Sequence, residues 1–358
     1  MIDAQRIEPI DQMWIAQAQR KLDQLTKPQG SLGRLEWLAQ QICGITRSLS
    51  PSLRQKAVIT IAADHGVVEE GVSAYPQAVT AQMVLNFLRG GAGINVLARH
   101  VGARVIVADL GVAEDLPPHP ELVSRKIGRG TRNFSREAAM TREHAEAAIN
   151  AGIELAQRAI DGGADILGTG DMGIGNTTSS SAIAAAMTGA AVEQITGRGT
   201  GIDDATHARK CRVIREALER HRPDPTDALG VLAAVGGFEI GGIAGVILGA
   251  AAAKRPVIVD GFISGAGALI AAGLQPNVRG YMIASHLSQE PGHRILLTHL
   301  GLEPILDLNL RLGEGTGAAL AMSIADAACK LLTEMATFED AGVSRRCLTP
   351  NSQKVSDT

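Results

Sequence analysis

The sequence predicts an α/β protein built on a mainly parallel β-sheet. Short runs rich in aliphatic and β-branched residues recur along the chain, and segments of helical length separate them. Most of these runs end in a turn containing Gly or Asp. Strands alternating with helices in this way imply right-handed βαβ connections.

In chain order, residues 10–50 read as helical. Trp14, Ala18, Leu22 and Leu25 recur at helical spacing, and Lys27-Pro28-Gln29-Gly30 breaks the pattern before a second helix from about Ser31. Strands are then expected at 57–63, 103–108, 164–167, 256–259, 279–284 and 305–310. Long helices are expected near 77–99, 136–161, 204–221, 240–253 and 264–273. A last helix, near 315–337, returns to the amino-terminal pair. This divides the chain into N-terminal helices of a small domain (1–50), a large α/β nucleotide-binding domain (51–315), a returning C-terminal helix (316–343) and a polar, flexible tail (344–358).

Composition narrows the function. Forty-one glycines against 3% aromatic residues describe a chain that packs with small side chains and brings backbones close together. A net charge of −3 offers no basic excess to neutralise phosphates, so nucleic acid is not an expected partner. Cys43, Cys211, Cys329 and Cys347 form no close pair, which favours a reducing cytoplasm over a disulfide framework. The amino terminus has no signal-like apolar run. The Gly- and Ala-rich stretch Ile240–Ala253 is too short for a bilayer and reads as a buried helix, so no membrane association is expected.

In an open parallel sheet the carboxyl ends of the strands share one edge, where ligands bind. Asp64-His65, Asp109, Asp260, Ser285-His286 and two Gly-rich turns fall there. Each turn alone is explained by loop geometry and helix capping. The segment Gly168-Thr169-Gly170-Asp171-Met172-Gly173 matches a dinucleotide fingerprint, but Glu193, at about the right distance, follows no clear strand. The simpler reading is an anion cradle of backbone N–H groups at a helix start, Gly173 to Thr178. Gly197-Arg198-Gly199-Thr200-Gly201 adds a guanidinium. In 311–317, Glu314 lies between two glycines, either as a helix-end charge or as an exposed general base. His286, His293 and His299 have no metal-ligand spacing, so no metal is assigned.

The chain resembles the nicotinate-nucleotide–dimethylbenzimidazole phosphoribosyltransferases of cobalamin lower-ligand synthesis. The matching stretches include KPQGSLGRLE (27–36), AADHGV (62–67), GVSAYPQAVTAQMV (71–84), GGAGINVLAR (90–99), GDMGIGNTT (170–178) and GRGTG (197–201). They continue through GGFEIGGIAG (236–245), DGFISGAGAL (260–269), SHLSQEPGH (285–293) and LGLEPILDLNLRLGEGTGAALA (300–321). Together they cover about residues 20–340.

The resemblance implies a homodimer with a Rossmann-like large domain and a small helical domain from both chain ends. It also implies transfer of phosphoribose from nicotinate mononucleotide to 5,6-dimethylbenzimidazole without a cofactor. The family's catalytic glutamate falls on Glu314. Its second carboxylate falls on Asp171, one methylene shorter than the usual glutamate. Phosphate and nucleotide contacts fall on Gly173, Gly175, Asn176, Thr177, Arg198, Gly199 and Gly201. Tyr75, Pro76, Gln82, Leu312 and Gly313 are the expected base pocket. Two other readings compete: a nicotinamide-dinucleotide oxidoreductase resting on the 168–173 glycines, and a sensor that binds such ligands without turnover.

Overall fold

The computed structural model describes residues 6–344. Six strands form one sheet: β1 (Lys56–Ala63), β2 (Ala103–Gly111), β3 (Leu122–Ser124), β4 (Ile166–Met172), β5 (Val257–Val259) and β6 (Met282–Ala284). Their order is β3-β2-β1-β4-β5-β6, and every neighbouring pair is parallel. This is the doubly wound Rossmann order, with its switch point between β1 and β4. The α-helices among the described residues begin with α1 (Gln12–Leu22), α2 (Arg34–Thr46), α3 (Val79–Leu88), α4 (Gly93–Val101), α5 (Arg142–Asp161), α6 (Asn176–Thr188) and α7 (Val192–Ile195). They continue with α8 (Asp204–His221), α9 (Ala228–Val235), α10 (Phe238–Ala252), α11 (Phe262–Leu274), α12 (Pro291–Leu300) and α13 (Thr316–Glu334).

The two-residue period of a strand sorts side chains to opposite faces. On β1, Ala57, Ile59, Ile61 and Ala63 enter one hydrophobic cluster, with α5, α9, α10 and α11. Val58 and Ala62 enter the other, with α1, α2, α4 and α13. The scarcity of aromatics has its counterpart where α5 meets α10. A Cβ on Gly152 would stand 1.9 Å from the Gly242 carbonyl oxygen, so those backbones touch with no side chain between them.

Several elements differ from the sequence reading. The expected 77–99 helix is two, α3 and α4, separated at Gly90-Gly91, with Gly90 at a φ of +76°. No strand forms at 305–310. Leu306 makes a single parallel bridge to His286, and Asn309, at a φ of +56°, ends the extended run. The short edge strand β3 has no counterpart in the reading. Above all, β4 continues through Gly168, Gly170 and Asp171, which were expected in a turn. The expected tail lies, beyond Ser344, outside the described residues. No helix among those residues is long and apolar enough to cross a membrane.

Candidate active site

The carboxyl ends of β4, β5 and β6 open onto a cavity of about 490 Å³. Glu314 lies on its wall, in a turn that also holds Gly313 and Gly315. All three residues have positive φ: Gly313 at +80°, Glu314 at +65° and Gly315 at +95°. For a non-glycine residue that conformation costs about 1–2 kcal/mol, so the surroundings must enforce it. Thr60 Oγ1 donates to the Glu314 carbonyl at 2.9 Å, and Asp260 Oδ2 accepts the Gly315 N–H at 3.2 Å. Asp260 Oδ1 also accepts Ala318 N–H at 2.9 Å, anchoring the start of α13. Burial pushes Asp260 up to about 7 against these N–H bonds.

The Glu314 carboxylate does not serve its own helix. Its Oε2 accepts the Ile94 N–H at 3.0 Å, at the first turn of α4. Burial raises its pKa, and the α4 backbone N–H groups oppose the rise. It therefore occupies the start of α4 rather than that of the helix following it, and borders the cavity. Asp171, near the end of β4, faces the same space and accepts from Asn176 Nδ2 at 3.0 Å. Its other oxygen has no partner. Burial, reinforced by the charges of Asp260 and Glu239, holds Asp171 well above the usual carboxylate range. That shift favours the protonated form of Asp171.

A further part of the cavity wall is a cradle. Gly173, Asn176, Thr177 and Gly199 line both the main cavity and a small hollow beside it, where Gly175 and Arg198 join them. Gly175, at a φ of +95°, precedes the first turn of α6, whose N–H groups open toward anions. The cation buried in this hollow is Lys210 of α8, which the sequence reading missed. Its Nζ donates to Thr177 Oγ1 at 2.8 Å, and burial brings its pKa down to about 8. A signal existed: Lys210 shares a helical stripe with Val213, Ile214 and Ala217, all buried. Arg198 is differently engaged. Its guanidinium donates to the Ile202 carbonyl and pairs with Asp204 in its own loop. Gly201 borders a neighbouring hollow rather than the main cavity.

Of the expected base pocket, Tyr75, Leu312 and Gly313 line the cavity. Pro76 and Gln82 do not, and both are exposed. The inward face of α3 is one turn apart, so Val79 and Met83 take their place. His286, Ser288 and Glu290 also border the cavity and were missing from the expected set. Among the described residues, no three His, Cys, Asp or Glu side chains are grouped to hold a metal ion. The arrangement brings a buried carboxylate, Glu314, into one cavity with a Gly-rich helix start, beside the buried cation Lys210.

A phosphoribosyltransferase family profile matches residues 7–343. The nicotinate-nucleotide–dimethylbenzimidazole phosphoribosyltransferase of Roseiflexus sp. (strain RS-1) is 64% identical over 339 residues, covering 95% of this chain and 96% of that protein. The chain belongs to this family. The enzyme of the same name from Geobacter sp. (strain M21) is 60% identical, over 95% of this chain and 97% of its own length. A crystal structure of the Thermus thermophilus phosphoribosyltransferase of this family superposes with a TM-score of 0.90 at 49% identity. It covers 94% of this chain and all of that one. Family membership makes the chain a pentosyltransferase and removes the oxidoreductase reading. Two of the three glycines behind that reading, Gly168 and Gly170, lie inside β4, where Gly170 admits the Glu314 backbone.

Proposed function

We propose that this phosphoribosyltransferase moves the 5-phosphoribosyl group of nicotinate mononucleotide onto 5,6-dimethylbenzimidazole. The products are α-ribazole 5′-phosphate and nicotinate, with inversion at C1′. The observation that carries this reading is that Glu314 lines the same cavity as Gly173, Asn176, Thr177 and Gly199, with Lys210 in the hollow beside it.

With phosphate in the cradle, the sugar reaches toward Glu314. One ring nitrogen of the acceptor attacks C1′, and the C1′–pyridinium bond breaks with its electron pair passing to nicotinate. The azole gains positive charge, its remaining N–H becomes acidic, and Glu314 takes that proton. Attack from the face opposite the leaving group gives the α-anomer. Asp171, whose carboxyl burial holds toward the protonated form, faces the cavity, and the forming cation favours its ionisation. Gly175, Asn176, Thr177 and Gly199 hold phosphate with Lys210, while Tyr75, Leu312 and Gly313, with Val79 and Met83, receive the aromatic base. Arg198 and Gly201 lie at the margin of the phosphate side.

The same reading has the chain acting in the cytoplasm as a homodimer, without cofactor, with residues 1–50 and 316–343 as its small domain. Incubation with both substrates, followed by product mass analysis, tests it. The expected result is ribazole phosphate and released nicotinate in equal amounts. Tight binding of both substrates with no nicotinate release would make the protein a sensor and refute the proposal.

A further inference from the structure

His286, Ser288 and Glu290 of the segment 286–290 line the cavity between the head of α13 and the cradle. At its start, His286 lies against the head of α13, where a Cβ on Gly317 would fall 1.9 Å from the ring Nδ1. At its end, Glu290 Oε1 accepts the Gly199 N–H at 2.9 Å, inside the phosphate-side cradle. A phosphoribosyl group that bridges the cradle and Glu314 therefore lays its sugar alongside this segment.

Hydrogen bonding decides which nitrogen of His286 carries the proton. Ser285 Oγ donates its single hydrogen to the Asp260 carbonyl at 2.8 Å. The same Oγ lies 2.9 Å from His286 Nδ1 and, with no second hydrogen, accepts there. Nδ1 is thus protonated and Nε2 keeps its lone pair. Burial pushes the ring pKa down to about 4, so the ring is neutral at pH 7. The neighbouring His293 is the opposite case: its Nδ1 accepts the Ser288 N–H at 2.9 Å, which puts the proton on Nε2. His286 Nε2 makes no hydrogen bond among the described residues. It lies 3.5 Å from where a Cβ of Gly261 would stand, and Gly261 is itself a cavity residue.

We propose that His286 sets the sugar specificity of the transfer, its Nε2 accepting a hydrogen bond from a ribose hydroxyl of the bound nucleotide. A nucleotide lacking that hydroxyl leaves a desolvated acceptor unpaired, which is a strong basis for rejection.

The inference rests on the proposed reaction, and the experiment separates the two. Turnover of nicotinate mononucleotide itself tests the reaction; its comparison with the 2′-deoxy and 3′-deoxy analogues tests His286. With the native enzyme, at least one analogue is expected to react about 10–100-fold more poorly in kcat/KM. His286→Phe should narrow that gap to about threefold or less, and His286→Gln, whose amide oxygen can occupy the Nε2 position, should restore it. Equal use of all three nucleotides by the native enzyme, or undiminished discrimination by the Phe variant, overturns the proposal. Should the Phe variant fail to fold, nitrogen NMR of the native protein decides. An unprotonated Nε2 that shifts when nicotinate mononucleotide is added supports the assignment. A protonated or unmoved Nε2 ends it.

Discussion

Gly170→Ala puts the positioning of Glu314 to a direct test. The new Cβ would stand 2.3 Å from the Glu314 carbonyl oxygen, about 1.1 Å short of the 3.4 Å at which ordinary contact begins. Its other near neighbours are also backbone, Glu314 C at 2.6 Å and Gly315 N at 2.9 Å. Gly170 cannot retreat, because β4 is hydrogen-bonded between β1 and β5. The 313–315 turn must therefore move by about an ångström, away from the Thr60 hydroxyl that holds it. Overpacking costs about 1–3 kcal/mol and the strained hydrogen bond about 1 more, enough to lower Tm by several degrees. The chemical effect is larger, since misplacing a reacting group by about 1 Å can cost about 10²-fold in rate. Steady-state kinetics should show that loss mainly in kcat, with KM for nicotinate mononucleotide changing little. Gly168→Ala is the control: its Cβ meets the flexible end of Met322 at 2.8 Å, and it should lose far less activity. A folded Gly170→Ala enzyme with native kcat, or one whose structure shows Glu314 unmoved, would refute the reasoning.

Glu314→Gln should lower kcat by about 10²–10⁴ with substrate binding largely kept. Because burial raises the Glu314 pKa, the acid limb of native kcat/KM should lie above the ordinary glutamate range, and the Gln variant should lack it; a limb at that range would contradict the buried base. Asp171→Glu should retain turnover within about tenfold, because the acid borders open cavity space; collapse of activity in a folded variant would show a pocket built around the shorter acid. Asp171 has a raised native pKa, so its stabilising contribution is complete below the unfolded value and is lost as pH rises through the native one. Asp171→Asn should accordingly gain Tm over the native enzyme as pH increases, and a pH-independent difference would count against a protonated Asp171. Lys210→Met should raise KM for nicotinate mononucleotide about 10–100-fold while leaving the dephosphorylated nucleoside unaffected; equal losses on both would remove Lys210 from the phosphate site.

The strands were legible wherever aliphatic runs were long, as at 57–63, because a parallel strand buried on both faces is apolar throughout. Leu122–Ser124 is too short to leave such a mark. The 305–310 run alternates convincingly, yet alternation carries no information about the left-handed Asn309. The glycines of 168–173 were visible but misplaced: their spacing suits a turn, and only tertiary contact shows that Gly170 makes room for another backbone. Glu314 and the 173–177 cradle could be named from motifs and resemblance. Lys210 could not be so named, since a lysine on an apolar stripe signals function only when its burial is known. The His286 tautomer depends on Ser285 and Asp260, three residues that a linear reading has no means to join.

Helix α13 begins at the Glu314 turn, and its body packs with α2 and with Leu22 and Leu25 near the start of the chain. Segments that do not line the cavity therefore brace the Glu314 turn from behind. Trimming the first fifty residues would free one flank of that brace and let the carboxylate drift, so the sheet cannot be excised as an autonomous catalyst. The two remote ends of the polypeptide are, in this sense, parts of a single lever whose tip is one carboxylate.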